Sequence, residues 1–208
     1  MKKLNLPNKL TVLRLIAVPI FLVVMLAIPE KFWIVRNSVG AFIFIAASIT
    51  DLFDGKIARK RGLITDFGKF LDPLADKFLV VSAMTAILFL DFYANLKTYF
   101  VWVFIVVILR EFAITGLRLI IAGKGVVMAA GKLGKLKTTF QMIFIISALV
   151  EPILYRIFGV IPQIEGGNFF LAVYPPITLI SMALTLIFTV WSAVEYFING
   201  GKYIDPEK

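Results

Sequence analysis

The sequence predicts an all-α integral membrane protein of six transmembrane helices with a short N-terminal interfacial segment, forming a single domain over residues 1–208. Three observations predict it. Hydrophobic residues make up 60% of the chain and its mean hydropathy is +0.93, whereas soluble domains run near about 45–50% apolar. The apolar residues gather into six long runs, and the length suits six spans with short connections. The basic residues alternate between sparse and dense along those connections.

Taken in order, residues 1–11, MKKLNLPNKLT, read as the interfacial segment, with Leu4, Leu6 and Leu10 facing lipid. The first span is Val12–Ile28. Lys2 and Lys3 ahead of it resemble the start of a signal peptide, but five more apolar runs follow and no small-residue cleavage site stands out. The second run, Ser38–Leu52, is short, so its helix is expected to continue past the membrane edge through Ala58. Phe67–Leu90, Tyr99–Ala122, Thr138–Phe158 and Phe169–Phe197 complete the set. Gly159–Asn168, with its Gly and Pro residues, reads as an external loop and Gly200–Lys208 as a loose tail. No internal repeat is visible.

Lys31, Arg36, Lys97 and Arg156 are the only basic residues in the first, third and fifth connections. The opposite ends carry Lys2, Lys3, Lys9 and Arg14, then Lys56, Arg59, Lys60, Arg61 and Lys69, then Arg118, Lys124, Lys132, Lys135 and Lys137. The positive-inside rule therefore places both termini, and the segment around residues 51–76, in the cytoplasm. This accounts for the net charge of +9 without nucleic acid as a partner. With neither Cys nor His in the chain, disulfides, thiolate metal sites and imidazole bases are excluded. Any metal must be held by oxygen, which favours Mg2+ or Mn2+.

Five of the thirteen acidic residues fall within Asp51–Asp76, DLFDGKIARKRGLITDFGKFLDPLAD. Asp51/Asp54 and Asp72/Asp76 are spaced three and four residues apart, so on helices each pair presents two carboxylates on one face. Carboxylates converging at a membrane are costly, and their natural partner is a divalent cation. Gly55, Ala58 and Gly68 allow close approach of a backbone or a ligand, and Arg59 adds a planar cation suited to phosphate. Together these describe a diphosphate–metal site. A solvated loop of paired charges would explain the charge balance, but not the spacing or the small residues. Asp66 reads as a turn or cap residue.

The segment resembles the signature of the CDP-alcohol phosphotransferase family, D-x2-D-G-x2-A-R-x8-G-x3-D-x3-D, at Asp51, Asp54, Gly55, Ala58, Arg59, Gly68, Asp72 and Asp76. The resemblance implies transfer of a substituted phosphate from a CDP-linked donor to an alcohol, with release of CMP. It implies two divalent cations held by Asp51, Asp54 and Asp72, of which Asp51 and Asp72 bridge both. Asp76 would contact one cation and accept the proton of the attacking hydroxyl. Asn8, Thr11, Gly55, Ala58, Arg59, Thr65 and Gly68 fall where relatives meet the CDP moiety. Asn8 after Pro7 also reads as the N-cap of the first helix, and the two readings are compatible.

VILREFAITGLRLI in the fourth run carries Arg110, Glu111 and Arg118, and GKLGKLKTTFQM follows with Lys135 and Lys137. Adjacent side chains diverge on a helix, so Glu111 is expected to pair with another helix rather than with Arg110. The cations point to an anionic acceptor, although a polybasic loop on anionic lipid explains Lys124 and Lys132 equally well. NLPNKLTVLR, REFAITGLR and GKLGKLKT are similar to the bacterial branch of the family that makes phosphatidylglycerophosphate. That resemblance implies CDP-diacylglycerol as donor, glycerol 3-phosphate as acceptor, Arg110, Arg118 and Lys135 as acceptor-phosphate ligands, and a homodimer. A cardiolipin synthase of the same fold is the nearest alternative. A cation transporter, from another class, would place its acids near the midplane on several helices instead.

Overall fold

The computed structural model describes residues 5–61, 65–126, 128, 131–158 and 175–203, without the side chains of residues 6, 7, 51–61, 66, 67 and 69. Six α-helices follow one another: α1 Leu6–Ala27, α2 Trp33–Arg61, α3 Asp66–Ile87, α4 Lys97–Gly123, α5 Lys132–Ile157 and α6 Pro176–Gly201. Short 3-10 turns at Glu30–Phe32 and Asp91–Leu96 lead into α2 and α4. Among the described residues there is no strand. Among the described residues, five of the helices are long and apolar enough to cross a membrane. The exception is α3, which carries Asp72, Asp76 and Lys77 near its start. Large apolar side chains such as Ile16, Ile20, Trp102, Phe112 and Ile180 stand exposed along the helices. In water such surfaces would be a liability, but they match lipid tails. The chain is thus an all-α integral membrane protein.

Local chemistry explains where the helices begin and end. Asn5 caps α1, its side chain accepting from the Asn8 amide at 3.0 Å, and Pro7 sits in the first turn, where no amide hydrogen is needed. Residues 6–11 of the expected interfacial segment are the first turns of α1, and Asn8 is not its N-cap. Met1–Leu4 lie outside the described residues. At 29 residues α2 is about 44 Å long, against roughly 30 Å of hydrocarbon. The helix continues past Leu52 as expected and reaches Arg61, past the predicted Ala58. Thr65 caps α3 by accepting from the Gly68 amide at 3.1 Å. α5 starts six residues before the predicted Thr138, because its lysine-rich first turns hide it from a hydropathy reading. α6 starts at Pro176 in place of Phe169, and the expected loop Gly159–Asn168 and the tail beyond Tyr203 lie outside the described residues.

The helices fall into two compact units. One comprises α1, α2, α3 and the part of α5 from Ala148 onward; the other comprises α4, α5 up to Ser147, and α6. In the first unit α1 packs against both α2 and α3. Phe21 and Phe44, both fully buried, meet with ring centroids 6.3 Å apart. Gly40 of α2 permits this closeness, since a Cβ there would come within 2.3 Å of the Met25 sulfur. In the second unit α4 packs on α6, and α6 buries a hydroxyl-bearing stripe: Thr178, Ser181, Thr185, Thr189 and Ser192. Hydroxyls away from water must be bonded, and several bond back onto their own helix. Ser181 donates to the Ile177 carbonyl at 2.6 Å and Thr185 to the Ser181 carbonyl at 2.7 Å.

Candidate active site

The first unit brings together the start of α1 and the start of α3 through three polar rungs. Asn8, Thr11 and Arg14, spaced three residues apart, are all buried on the face of α1 turned toward α3. Asn8 Nδ2 donates to Thr65 Oγ1 at 3.0 Å, and the Thr65 hydroxyl donates to Asn8 Oδ1 at 3.1 Å. Thr11 Oγ1 donates to Asp72 Oδ1 at 2.5 Å. Arg14 Nη1 donates to Asp76 Oδ1 at 2.6 Å in a charge-assisted pair. The rungs advance in the same direction on both helices, so α1 and α3 run parallel here.

Asp72 and Asp76 therefore share the face of α3 that meets α1, as their spacing predicts. Each uses Oδ1 toward α1. Gly68, one turn before Asp72, is buried in the same cradle. A Cβ at that position would lie 2.9 Å from Asn8 Oδ1 and 3.3 Å from Thr65 Oγ1. Any side chain would force the first rung apart, which explains the glycine. Asp51, Asp54, Gly55, Ala58 and Arg59 lie on the last turns of α2 by their backbone, but their side chains, like that of Asp66, fall outside the described residues. Among the described residues no three acidic side chains converge.

The described part of the site fits a hard divalent cation. Its donors are all oxygens, from two carboxylates one turn apart and a hydroxyl, and the half-buried Asp72 and Asp76 are not sealed in the core.

Arg14 was missed as a site residue. The sequence reading counted it among the basic residues of the cytoplasmic ends, whereas the structure ties it to Asp76. The signal was present in the repeated three-residue spacing of Asn8, Thr11 and Arg14.

The proposed acceptor residues lie in the second unit and have partners of their own. Arg110 Nε and Nη2 donate to Ser192 Oγ at 3.2 and 3.0 Å, Nη1 donates to Glu111 Oε1 at 3.2 Å, and the guanidinium lies 5.7 Å from the Tyr196 ring centre. Glu111 Oε1 also accepts from Lys137 of α5, as expected for a carboxylate that pairs across helices. It accepts from Arg110 too, against the expectation that neighbours diverge, because the guanidinium is long enough to fold back. Lys137, buried, donates further to Gln141 Oε1. Arg118 is exposed, with Nε and Nη2 on the Met128 carbonyl at 3.3 and 2.9 Å, and Lys135 is exposed on α5.

Residues 4–191 match the family model described as CDP-alcohol phosphatidyltransferase. The chain is 39% identical over 201 residues to the CDP-diacylglycerol–glycerol-3-phosphate 3-phosphatidyltransferase of Bacillus subtilis (strain 168), covering 93% of each chain. Proteins of the same name from Rickettsia typhi and Wigglesworthia glossinidia brevipalpis are each 38% identical, over 150 and 154 residues. These matches cover 70% and 71% of this chain and 76% and 78% of theirs.

Proposed function

The chain belongs to the CDP-alcohol phosphatidyltransferase family, and we propose that it transfers a phosphatidyl group from CDP-diacylglycerol to glycerol 3-phosphate, releasing CMP and phosphatidylglycerophosphate. The observation that carries this reading is the oriented pair Asp72 and Asp76 on one face of α3, each held by a side chain of α1.

In this reading Asp51, Asp54, Asp72 and Asp76 hold two divalent cations, Mg2+ or Mn2+. When bound, the cations neutralise the donor diphosphate and stabilise the charge that develops on CMP as it leaves. Thr11 keeps Asp72 turned toward the site. Asn8, Thr65 and Gly68 fix the entrance of α3, against which the donor binds. Gly55, Ala58 and Arg59 contribute from α2, Arg59 as a phosphate ligand. The acceptor hydroxyl oxygen attacks the phosphorus that carries the diacylglycerol, the bond from that phosphorus to the CMP oxygen breaks, and the hydroxyl proton passes to Asp76. A carboxylate is a weak base for an alcohol, so the proton transfer accompanies phosphorus–oxygen bond formation.

Arg118 and Lys135, exposed and cationic, are the acceptor-phosphate ligands, with Arg110 held ready by Ser192 and Glu111. The asymmetry of basic residues supports a cytoplasmic site in the bacterial cytoplasmic membrane. On this topology a cysteine at Lys3 or Lys202 labels from the cytoplasmic side and one at Glu165 from outside; labelling of residues 3 and 165 from the same face would contradict it. The family resemblance carries a homodimer.

The testing experiment supplies purified protein with CDP-diacylglycerol and a panel of alcohols, and reads CMP release and lipid product. Glycerol 3-phosphate is expected to be the preferred acceptor, yielding phosphatidylglycerophosphate. Preference for phosphatidylglycerol would instead make the protein a cardiolipin synthase, and absence of CMP release with every acceptor would end the transferase reading.

A further inference from the structure

We propose that Arg14 is a positioning residue for the transfer: its guanidinium fixes Asp76 through Oδ1 and so sets the direction in which the second carboxylate oxygen faces the reacting groups. This rests on the role given to Asp76 above. The first support is the uneven burial of the pair. The Arg14 side chain is 0% exposed, whereas that of Asp76 is 46% exposed. Here only the cation is enclosed, and the carboxylate is presented outward from it.

The second support is the cost of the arrangement. Burying a guanidinium is expensive unless its hydrogen bonds are made, and an apolar residue would join α1 to α3 more cheaply. Neighbours Val12, Leu13, Leu15 and Ile16 show that α1 does not lack apolar residues. The third support is register. Arg14 continues the spacing of Asn8 and Thr11, and its rung falls one helical turn beyond the Thr11–Asp72 rung. Asp76 is thereby given a fixed rotamer on a face where Asp72 is already fixed. Arginine suits the task better than lysine, because its planar fork constrains the direction of the carboxylate as well as its distance.

The test uses the full chain purified in detergent, with Arg14→Lys, Asp76→Asn and the double variant. Lysine keeps the charge and most of the length, but loses the fork. At saturating donor, acceptor and Mn2+, Arg14→Lys is expected to lower kcat about 10- to 100-fold, the scale of a misplaced reacting group. The KM for CDP-diacylglycerol should stay within about twofold. In the Asp76→Asn background the same substitution should cost less than about twofold more, because the carboxylate it positions has lost its charge. Mn2+ binding by Arg14→Lys without donor, read by electron paramagnetic resonance, should persist and show a folded site. Full additivity of the two substitutions, or loss of Mn2+ binding in Arg14→Lys, overturns the proposal. Normal kcat in Arg14→Lys alongside impaired Asp76→Asn overturns it while leaving the Asp76 role intact. Normal kcat in Asp76→Asn removes that role, and the proposal with it.

Discussion

Arg14–Asp76 in the first unit and Lys137–Glu111 in the second are both ion pairs between helices, but they distribute their charges differently. Asp76 is paired with the Arg14 cation of α1, and its neighbour Asp72 is held by a neutral hydroxyl. Glu111 is shared by two cations, Arg110 and Lys137, and the Lys137 side chain is 2% exposed. Glutamine and serine side chains take up further donors of that cluster. An intramembrane charge either binds something or ties helices together, and the balance of carboxylates against cations separates the two uses. In the proposed reading the first arrangement takes up divalent cations. The second joins α4 to α5 through Glu111 and Lys137.

The comparison predicts effects of different kinds. In the proposed reading Asp51→Asn or Asp54→Asn removes a charge that holds the cations, and turnover should fall by about 10³-fold or below detection while the protein remains folded. CMP release beside a thermal melt checks both halves, and near-normal activity in Asp51→Asn would refute a two-cation site.

Glu111→Ala should act on stability. It leaves Arg110 and the buried Lys137 without their shared anion, at a cost of about 3–5 kcal/mol. A large fall in the detergent unfolding midpoint is expected, and an unchanged midpoint would show that the cluster does not hold α4 to α5. Arg118→Ala or Lys135→Ala should leave stability and donor KM alone and raise the KM for glycerol 3-phosphate about 10- to 100-fold, the equivalent of losing roughly 1.5–3 kcal/mol of charged hydrogen bonding. Unchanged acceptor saturation in both variants would remove them from the phosphate site. The smallest effect is expected from Thr65→Ala. Loss of the α3 cap and of the Asn8 rung should cost about 1 kcal/mol in an unfolding titration. A cost near zero would mean that the first rung is dispensable.

How much of this was legible in the sequence follows from which forces are local. The six helices could be read because long, mainly apolar runs have few other uses. The start of α1 could not, because Asn8, Thr11 and Arg14 break the apolar run while pointing inward, the reverse of a soluble amphipathic helix. The start of α5 was obscured in the same way by Lys132, Lys135 and Lys137. Spacing of three and four residues revealed the Asp72/Asp76 face, since helical periodicity is local. The Arg14–Asp76 and Lys137–Glu111 pairs join residues 62 and 26 positions apart, and only the fold brings them together.

The most direct test of the contrast is a metal titration of CMP release by the wild type and Asp72→Asn, with CDP-diacylglycerol and glycerol 3-phosphate in excess. The wild type should be silent in chelator and rise to saturation with Mg2+ or Mn2+, and Asp72→Asn should stay at baseline at the concentrations that saturate it. CMP release by the wild type in chelator, or wild-type turnover in Asp72→Asn, would contradict the assignment of the first unit as the metal-dependent catalytic centre.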